Sequence, residues 1–383
     1  MSVLAALLLL ADASPAWRAF TIGGGPSPAM NQAAIEAHVR FVDRLVPASV
    51  PHLVLFADGT RERETVQFVD GPRKVRFRAP RLTRIDGPST LAGIGAAWTS
   101  AAQGPSNKPV LVYFAGHGTR NAHDMTNNSY DLWGGGGLSV RQLAAKIDEL
   151  PPRAPVVLVM AQCFSGAFAN VLFEGGRADG ALVERDVVGF FAATPDRPAS
   201  GCTPEIDEAE YQDFSSYFFG ALAGQDRLGR PVVGADYDRN GVVGMNEAFA
   251  YAVLHQDSED VPMSTSDAFL RRFVQRGDGF FTSLSYAEIL AAAAPEQRAA
   301  LEGLSAELGL TGEDRVRRAY RVYFGGAEPD SVRAAHLLRL VRMAKSVVLA
   351  RELLRSGDEA LKARWRRLRA FESRNPIREM RGP

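Results

Sequence analysis

The sequence predicts an α/β protein: a mostly parallel β-sheet sandwiched by helices, followed by an α-helical C-terminal region. Three observations carry this. Continuous apolar runs rich in β-branched residues recur at 52–57, 110–115, 156–161 and 187–193, as expected for strands buried on both faces. Segments with helical apolar spacing stand between them, so successive strands need crossovers and pair in parallel. After about residue 283 strand character stops and helical patterns continue to the end.

The elements follow in order. Val3 to Ala11 is apolar and runs into an Ala11-Asp12-Ala13 triplet like a signal-peptidase site, without a basic start. Residues 1–17 therefore read as a signal peptide or as an ordinary apolar segment. A signal peptide over residues 1–13 implies a periplasmic or secreted protein, and otherwise a cytoplasmic one. Gly23 to Pro28 is a loop. Asn31 opens a helix carrying Ala34, Ile35, Val39, Phe41, Val42 and Val46. His52 to Ala57 is a buried strand closed by the turn Asp58-Gly59. Val75 to Phe77 is a short strand and Ser89 to Ala102 a small-residue helix.

The strand Val110 to Ala115 runs into Gly116-His117-Gly118. After a helix over Leu138 to Leu150, the strand Val156 to Ala161 runs into Gln162-Cys163-Phe164-Ser165-Gly166, and Val187 to Ala193 is a further strand. Helices are expected over Tyr286 to Ala294, Pro295 to Leu308, Glu313 to Phe324, Ser331 to Leu354 and Glu359 to Phe371. The chain thus divides into residues 1–17, a sheet domain at 18–283 and a helical region at 284–383. Beyond the N-terminus no stretch approaches the roughly 18 apolar residues of a membrane span, so no transmembrane segment is expected.

Lys+Arg and Asp+Glu number 44 each, which argues against nucleic acid or an anionic membrane as an obligate partner. The distribution is uneven. Residues 201–260 hold 12 acidic and 3 basic side chains, and residues 315–383 hold 18 basic and 7 acidic ones, so the two regions can attract each other. Two cysteines, Cys163 and Cys202, build no disulfide framework and leave a thiol free for chemistry.

Ligands of parallel sheets meet the loops beyond the carboxyl ends of the strands, where His117 and Cys163 stand. A thiolate is the nucleophile of cysteine peptidases, and a nearby imidazole activates it or protonates the leaving amine. Gly118 lets backbone approach a reacting carbonyl, so its N–H is a candidate oxyanion donor. A helix starting at Phe164 would aim its N-terminus at the sulfur and favour the thiolate. Taken singly, each residue also reads as an ordinary strand end; two similar strands ending in two members of a reactive pair favour the chemical reading.

YFAGHGT (113–119) and MAQCFSGAF (160–168) resemble the two active-site blocks of the clan CD cysteine peptidases, the group of caspases, metacaspases, gingipains and legumain. The nearest resemblance is to legumain-type enzymes and the related transamidase subunit. FFAATPDRPASGC with DFSSYFFGAL (190–202, 213–222) is similar to that family's substrate-binding strand, loop and helix. The resemblance covers about residues 18–225. It implies a caspase-like fold, His117 and Cys163 as catalytic dyad, the amides of Gly118 and Cys163 as oxyanion hole, and a peptide or protein substrate. It further implies Asp213 in the primary specificity pocket, with Asp58 and Ser200 grouped beside it as substrate-binding candidates; Asp213 reads equally as a helix cap. Relatives carry Glu, Asp or Gln two residues before the cysteine where this chain has Ala161, which leaves the cleavage preference open.

Residues 236–247, DYDRNGVVGMNE, fit the twelve-residue EF-hand loop. Asp236, Asp238, Asn240, the Val242 carbonyl and Glu247 would ligate Ca2+, Gly241 would make the turn, and water would fill the position of Gly244. A solvated turn can match the same pattern. The exiting helix Asn246 to Leu254 is well formed in sequence and an entering one is not. Calcium would be structural or activating, and the chemistry itself needs no cofactor. Lys362, Arg364, Arg366, Arg367 and Arg369 interleave with Trp365, Leu368 and Phe371. They read as a solvated helix face with an apolar stripe, as intramolecular inhibition by the basic C-terminal helices like the cover of legumain-type enzymes, or as a docking module. The functional expectation is a cysteine endopeptidase. Its alternatives are a transpeptidase using the same dyad and a catalytically inactive calcium-binding interaction protein.

Overall fold

The computed structural model describes residues 17–71, 74–102, 107–328 and 330–382; the candidate signal peptide, residues 1–13, lies outside them. In chain order they form β1 (Arg18–Gly24), α1 (Ala33–Leu45), β2 (His52–Phe56), β3 (Val66–Val69), β4 (Val75–Arg78), α2 (Leu91–Ala102), β5 (Val110–Gly116), β6 (Gly118–Thr119), β7 (Ser129–Asp131), β8 (Gly137–Ser139) and α3 (Val140–Asp148). Then come β9 (Val156–Met160), β10 (Val187–Phe191), α4 (Phe214–Ala223), α5 (Met245–His255), β11 (Met263–Ser264) and α6 (Thr265–Phe273). Helices α7 (Asp278–Thr282), α8 (Tyr286–Ala292), α9 (Pro295–Glu307), α10 (Arg315–Phe324), α11 (Ser331–Arg355), α12 (Glu359–Glu372) and α13 (Pro376–Arg381) complete the chain. Among the described residues no helix is long and apolar enough to cross a membrane.

The central sheet has six strands in the order β11-β10-β9-β5-β1-β2. All neighbouring pairs are parallel except β10 with β11, which pair antiparallel at one edge. Alternate residues feed two layers. Leu111, Tyr113 and Ala115 of β5 join the layer beneath α1, α4 and α5, whereas Val110, Val112 and Phe114 join the layer beneath α2 and α3. The expected fold class is therefore observed.

Two departures have physical causes. β1 is central, lying between β5 and β2, yet RAFTIGG lacks a continuous apolar run because Arg18, Thr21 and the glycines interrupt it. Gly23 is there because α1 packs closely: a Cβ would stand 2.2 Å from Val39 Cγ2. The expected strand Val75 to Phe77 exists as β4, but it pairs with β3 in a separate exposed hairpin.

The helical region is not a detachable cap. Leu349, Leu353, Trp365, Leu368 and Phe371 lie in the same core layer as Val159 and Phe190 of the sheet. The stripe expected on α12 is what buries it, with Trp365 5.6 Å from Phe269 between ring centroids. The basic side chains of that helix turn to local partners: Arg367 donates to Asp186 at 2.9 Å, Arg364 reaches the Val183 carbonyl, and Arg369 pairs with Glu372 at 2.6 Å. Asp186 and Val183 precede β10, so these contacts lie at the opposite end of the sheet from the His117 and Cys163 loops. The expectation that this basic segment covers the dyad is thereby corrected.

Trp365→Ala should cost about 3–5 kcal/mol, the usual penalty for emptying an aromatic core site. Chemical denaturation would show it; a midpoint unchanged from wild type would contradict the shared core.

Candidate active site

β5 and β9 pair from Val110 with Val156 to Phe114 with Met160, a constant offset of 46 positions. His117 and Cys163 stand at the same offset. Both strands end at adjacent points, so the two residues stand in neighbouring loops at the carboxyl-terminal edge of the sheet. The pairing persists into the loops, where Ala161 N–H donates to the Phe114 carbonyl at 2.9 Å. Gly118 then passes so near the second loop that a Cβ would stand 2.3 Å from the Cys163 carbonyl oxygen and 2.8 Å from Gln162 Cγ. Only glycine fits there.

His117 Nε2 faces two acceptors, the Met30 carbonyl at 2.8 Å and Gln32 Oε1 at 2.9 Å. A carbonyl cannot donate, so Nε2 carries the proton and Nδ1 is left as the base. Burial lowers the His117 pKa, with the Met30 carbonyl and Asp131 opposing it. The half-buried Cys163 is held by Ala199, whose N–H donates to Sγ at 3.2 Å and whose carbonyl lies 3.6 Å from Sγ. Burial raises the Cys163 thiol and the Ala199 amide works against that rise. One cause, burial, thus disfavours the charged form of both groups. A helix does start where the sequence expects one, and burial opposes the thiolate that its N-terminus would favour. Phe164 is left-handed at φ 58, and the chain continues as a 3₁₀ helix over Ser165–Leu172.

The substrate-binding candidates separate. Ser200 follows Ala199 and its N–H donates to Asp260 Oδ1 at 2.5 Å, so the fold brings it beside Cys163. Asp213 lies beneath the same loop: a Cβ on Gly201 would be 3.2 Å from its Cβ. Its carboxylate, 2 % exposed, caps α4 through Ser216 N–H at 3.1 Å and pairs with His38 Nε2 at 2.9 Å. Burial pushes this carboxyl up, but His38 and Arg227 outweigh it and hold the group well below the usual carboxylate range. Capping is the observed role. Asp58 follows the edge strand β2, three strands from Cys163 or about 14 Å across the sheet, and is occupied by Thr60 N–H at 3.1 Å.

Residues the sequence did not single out complete the surroundings. Asp131 N–H donates to the His117 carbonyl at 3.0 Å. The fully buried Asn128 ties the loops together, its Nδ2 donating to the Phe164 and Pro195 carbonyls at 3.2 and 2.8 Å. Met30, Gln32, Asn128 and Ala199 act through backbone groups or amides distant in sequence, which no local pattern marks.

The loop at 236–247 is a separate feature. One carboxylate oxygen each of Asp236, Asp238 and Glu247 lies within 4.8 Å of the others, so the three could hold a metal ion. Burial raises Glu247, three backbone amides oppose the rise, and Asp238 adds to it. Such unneutralised carboxylates fit a cation. Gly241 at φ 84 makes the expected turn and α5 is the exiting helix. Asn240 Oδ1 accepts the Val242 N–H at 2.8 Å.

Gly118→Ala should force the two loops apart at a cost of about 1–3 kcal/mol, the range for overpacking. Thermal unfolding together with site-resolved alkylation of Cys163 would register it; wild-type values in both would refute the contact.

No protein-family model matches the chain, and no curated protein matches it. Among solved structures, protein GSU0716 from Geobacter sulfurreducens is similar at a TM-score of 0.39 and 12% identity, over 65% of this chain and 92% of that one. Chaetomium thermophilum Raptor is similar at a TM-score of 0.32 and 10% identity, over 93% of this chain and 38% of that one. At these scores neither likeness carries an argument about function.

Proposed function

We propose that the chain is a cysteine endopeptidase of the caspase-like, legumain-related kind. The observation that carries the reading is the common offset of 46 positions in the β5–β9 register and between His117 and Cys163, with Nδ1 of His117 left free as a base. Cys163 Sγ attacks the scissile carbonyl as its proton passes to His117 Nδ1. The amides of Gly118 and Cys163 hold the oxyanion, His117 returns the proton to the departing amine, and water hydrolyses the thioester. The imidazole removes the thiol proton as substrate binds. An amine in place of water would give transpeptidation through the same thioester.

The loop at 236–247 is proposed to bind Ca2+ as a staple. Asp236, Asp238 and Glu247 would hold the ion, which would neutralise their charge and supply nothing to the reaction. Arg378 Nη1 donates to the Gly241 carbonyl and Asn375 Nδ2 to the Val243 carbonyl, each at 2.8 Å, so the loop is tied to α13. A non-catalytic, calcium-binding interaction protein is the second reading, favoured by the separate partners of Cys163 and His117.

Acyloxymethyl ketone peptides should label wild type and neither Cys163→Ala nor His117→Ala; absence of labelling with and without calcium would favour the second reading. Since burial lowers His117, its imidazole is neutral to lower pH than a free one. The acid limb of kcat/KM should therefore fall below the ordinary imidazole value of about 6.5. Calcium at about 100 times its Kd should stabilise the chain by about 2.7 kcal/mol, seen as a rise in Tm that Glu247→Gln removes. A Tm indifferent to calcium would discard the staple.

A further inference from the structure

The segment that supplies Ala199 to Cys163 has no regular structure of its own between the turn at Thr194 and the short 3₁₀ helix Glu208–Glu210. Its position depends on what grips it. The principal grip is Asp260, a fully buried carboxylate whose two oxygens each accept a backbone amide: Ser200 N–H on Oδ1 at 2.5 Å and Phe214 N–H on Oδ2 at 3.1 Å. A buried carboxylate is costly, and its placement requires support.

That support comes from the helical region. Arg339 of α11, 2 % exposed, spreads its guanidinium over the chain between α5 and β11. Its Nε donates to the Asp260 carbonyl at 2.7 Å, Nη1 to the Gln256 carbonyl at 2.7 Å and Nη2 to the Ser258 carbonyl at 2.5 Å. A planar fork reaches three carbonyls from three separate, fixed nitrogens, whereas a lysine must gather all its acceptors around one nitrogen. A second tie runs parallel to it. Arg197 Nη1 donates to the Tyr323 hydroxyl of α10 at 3.0 Å, while the Arg197 carbonyl accepts Phe164 N–H at 2.9 Å.

We propose that Asp260 is a positioning residue for the Cys163 nucleophile, set in place by Arg339, so that the helical C-terminal region forms part of the catalytic apparatus. Asp260 acts through Ser200 and Ala199, and never on substrate. Its catalytic consequence rests on the peptidase reading, but its effect on the cysteine does not.

Asp260→Asn tests this, because the carboxamide keeps the shape while its Nδ2 can no longer accept one of the two amides. Iodoacetamide alkylation followed by site-resolved mass spectrometry separates Cys163 from Cys202. Loss of the charge alone would speed alkylation, since Asp260 raises the Cys163 thiol; loss of position slows it, since Ala199 leaves the sulfur. The expected result is slower alkylation of Cys163 and, with a peptide that wild type cleaves, kcat lower by about 100-fold with KM little changed. Arg339→Lys should act in the same direction more weakly, and carries the test if Asp260→Asn does not fold. Alkylation at or above the wild-type rate in a folded variant would overturn the proposal. If no peptide is cleaved by wild type but alkylation still slows, positioning stands and the peptidase reading falls.

Discussion

The parallel pairing of β5 with β9 is the constraint on which the site depends. Both strands are wholly buried, and in a sheet packed on both faces a slip of one position would turn every side chain into the wrong layer. The register that fills the two cores therefore also places the His117 and Cys163 loops at neighbouring strand ends. Stability and function draw on the same hydrogen-bond ladder, and Gly118 records how closely the two chain exits converge.

Burial governs the electrostatics of the crevice. It disfavours the charged form of either group, lowering the imidazole and raising the thiol. The nearby carboxylates act in opposite senses on the two: Asp131 raises both, which favours a protonated imidazole and opposes a thiolate. Burial and Asp131 thus both oppose a thiolate at Cys163.

The helical region changes meaning when placed in the fold. Its basic residues suggested a cover; its apolar residues make it a wall of the main core, and its Arg339 a clamp on the backbone that carries Asp260. Leu353 and Trp365 share a core layer with Phe190, far earlier in the chain, because α6 and α12 pack against β10 and α11 packs against both helices. The acidic loop at 236–247 is likewise tied to α13, joining the two ends of the C-terminal half.

How much of this was legible depended on range. The four apolar strands, the helices after residue 284, the His-Gly and Cys loops and the acidic loop announce themselves through period, composition and spacing, which are local properties that burial and turn chemistry impose on neighbouring residues. β1 escaped because its glycines answer to α1 rather than to its own segment. Met30, Ala199, Asp260 and Arg339 escaped because their roles are hydrogen bonds to backbone far along the chain, and any residue type supplies a backbone amide or carbonyl. The sequence by itself determined the layered α/β architecture and the chemical identity of the candidate dyad. Only the tertiary structure decided the burial of His117 and Cys163, the commitment of Asp213 to a cap, and the grip of the C-terminal helices on the cysteine loop, since each arises from packing and long-range partners that exist only when the chain has closed.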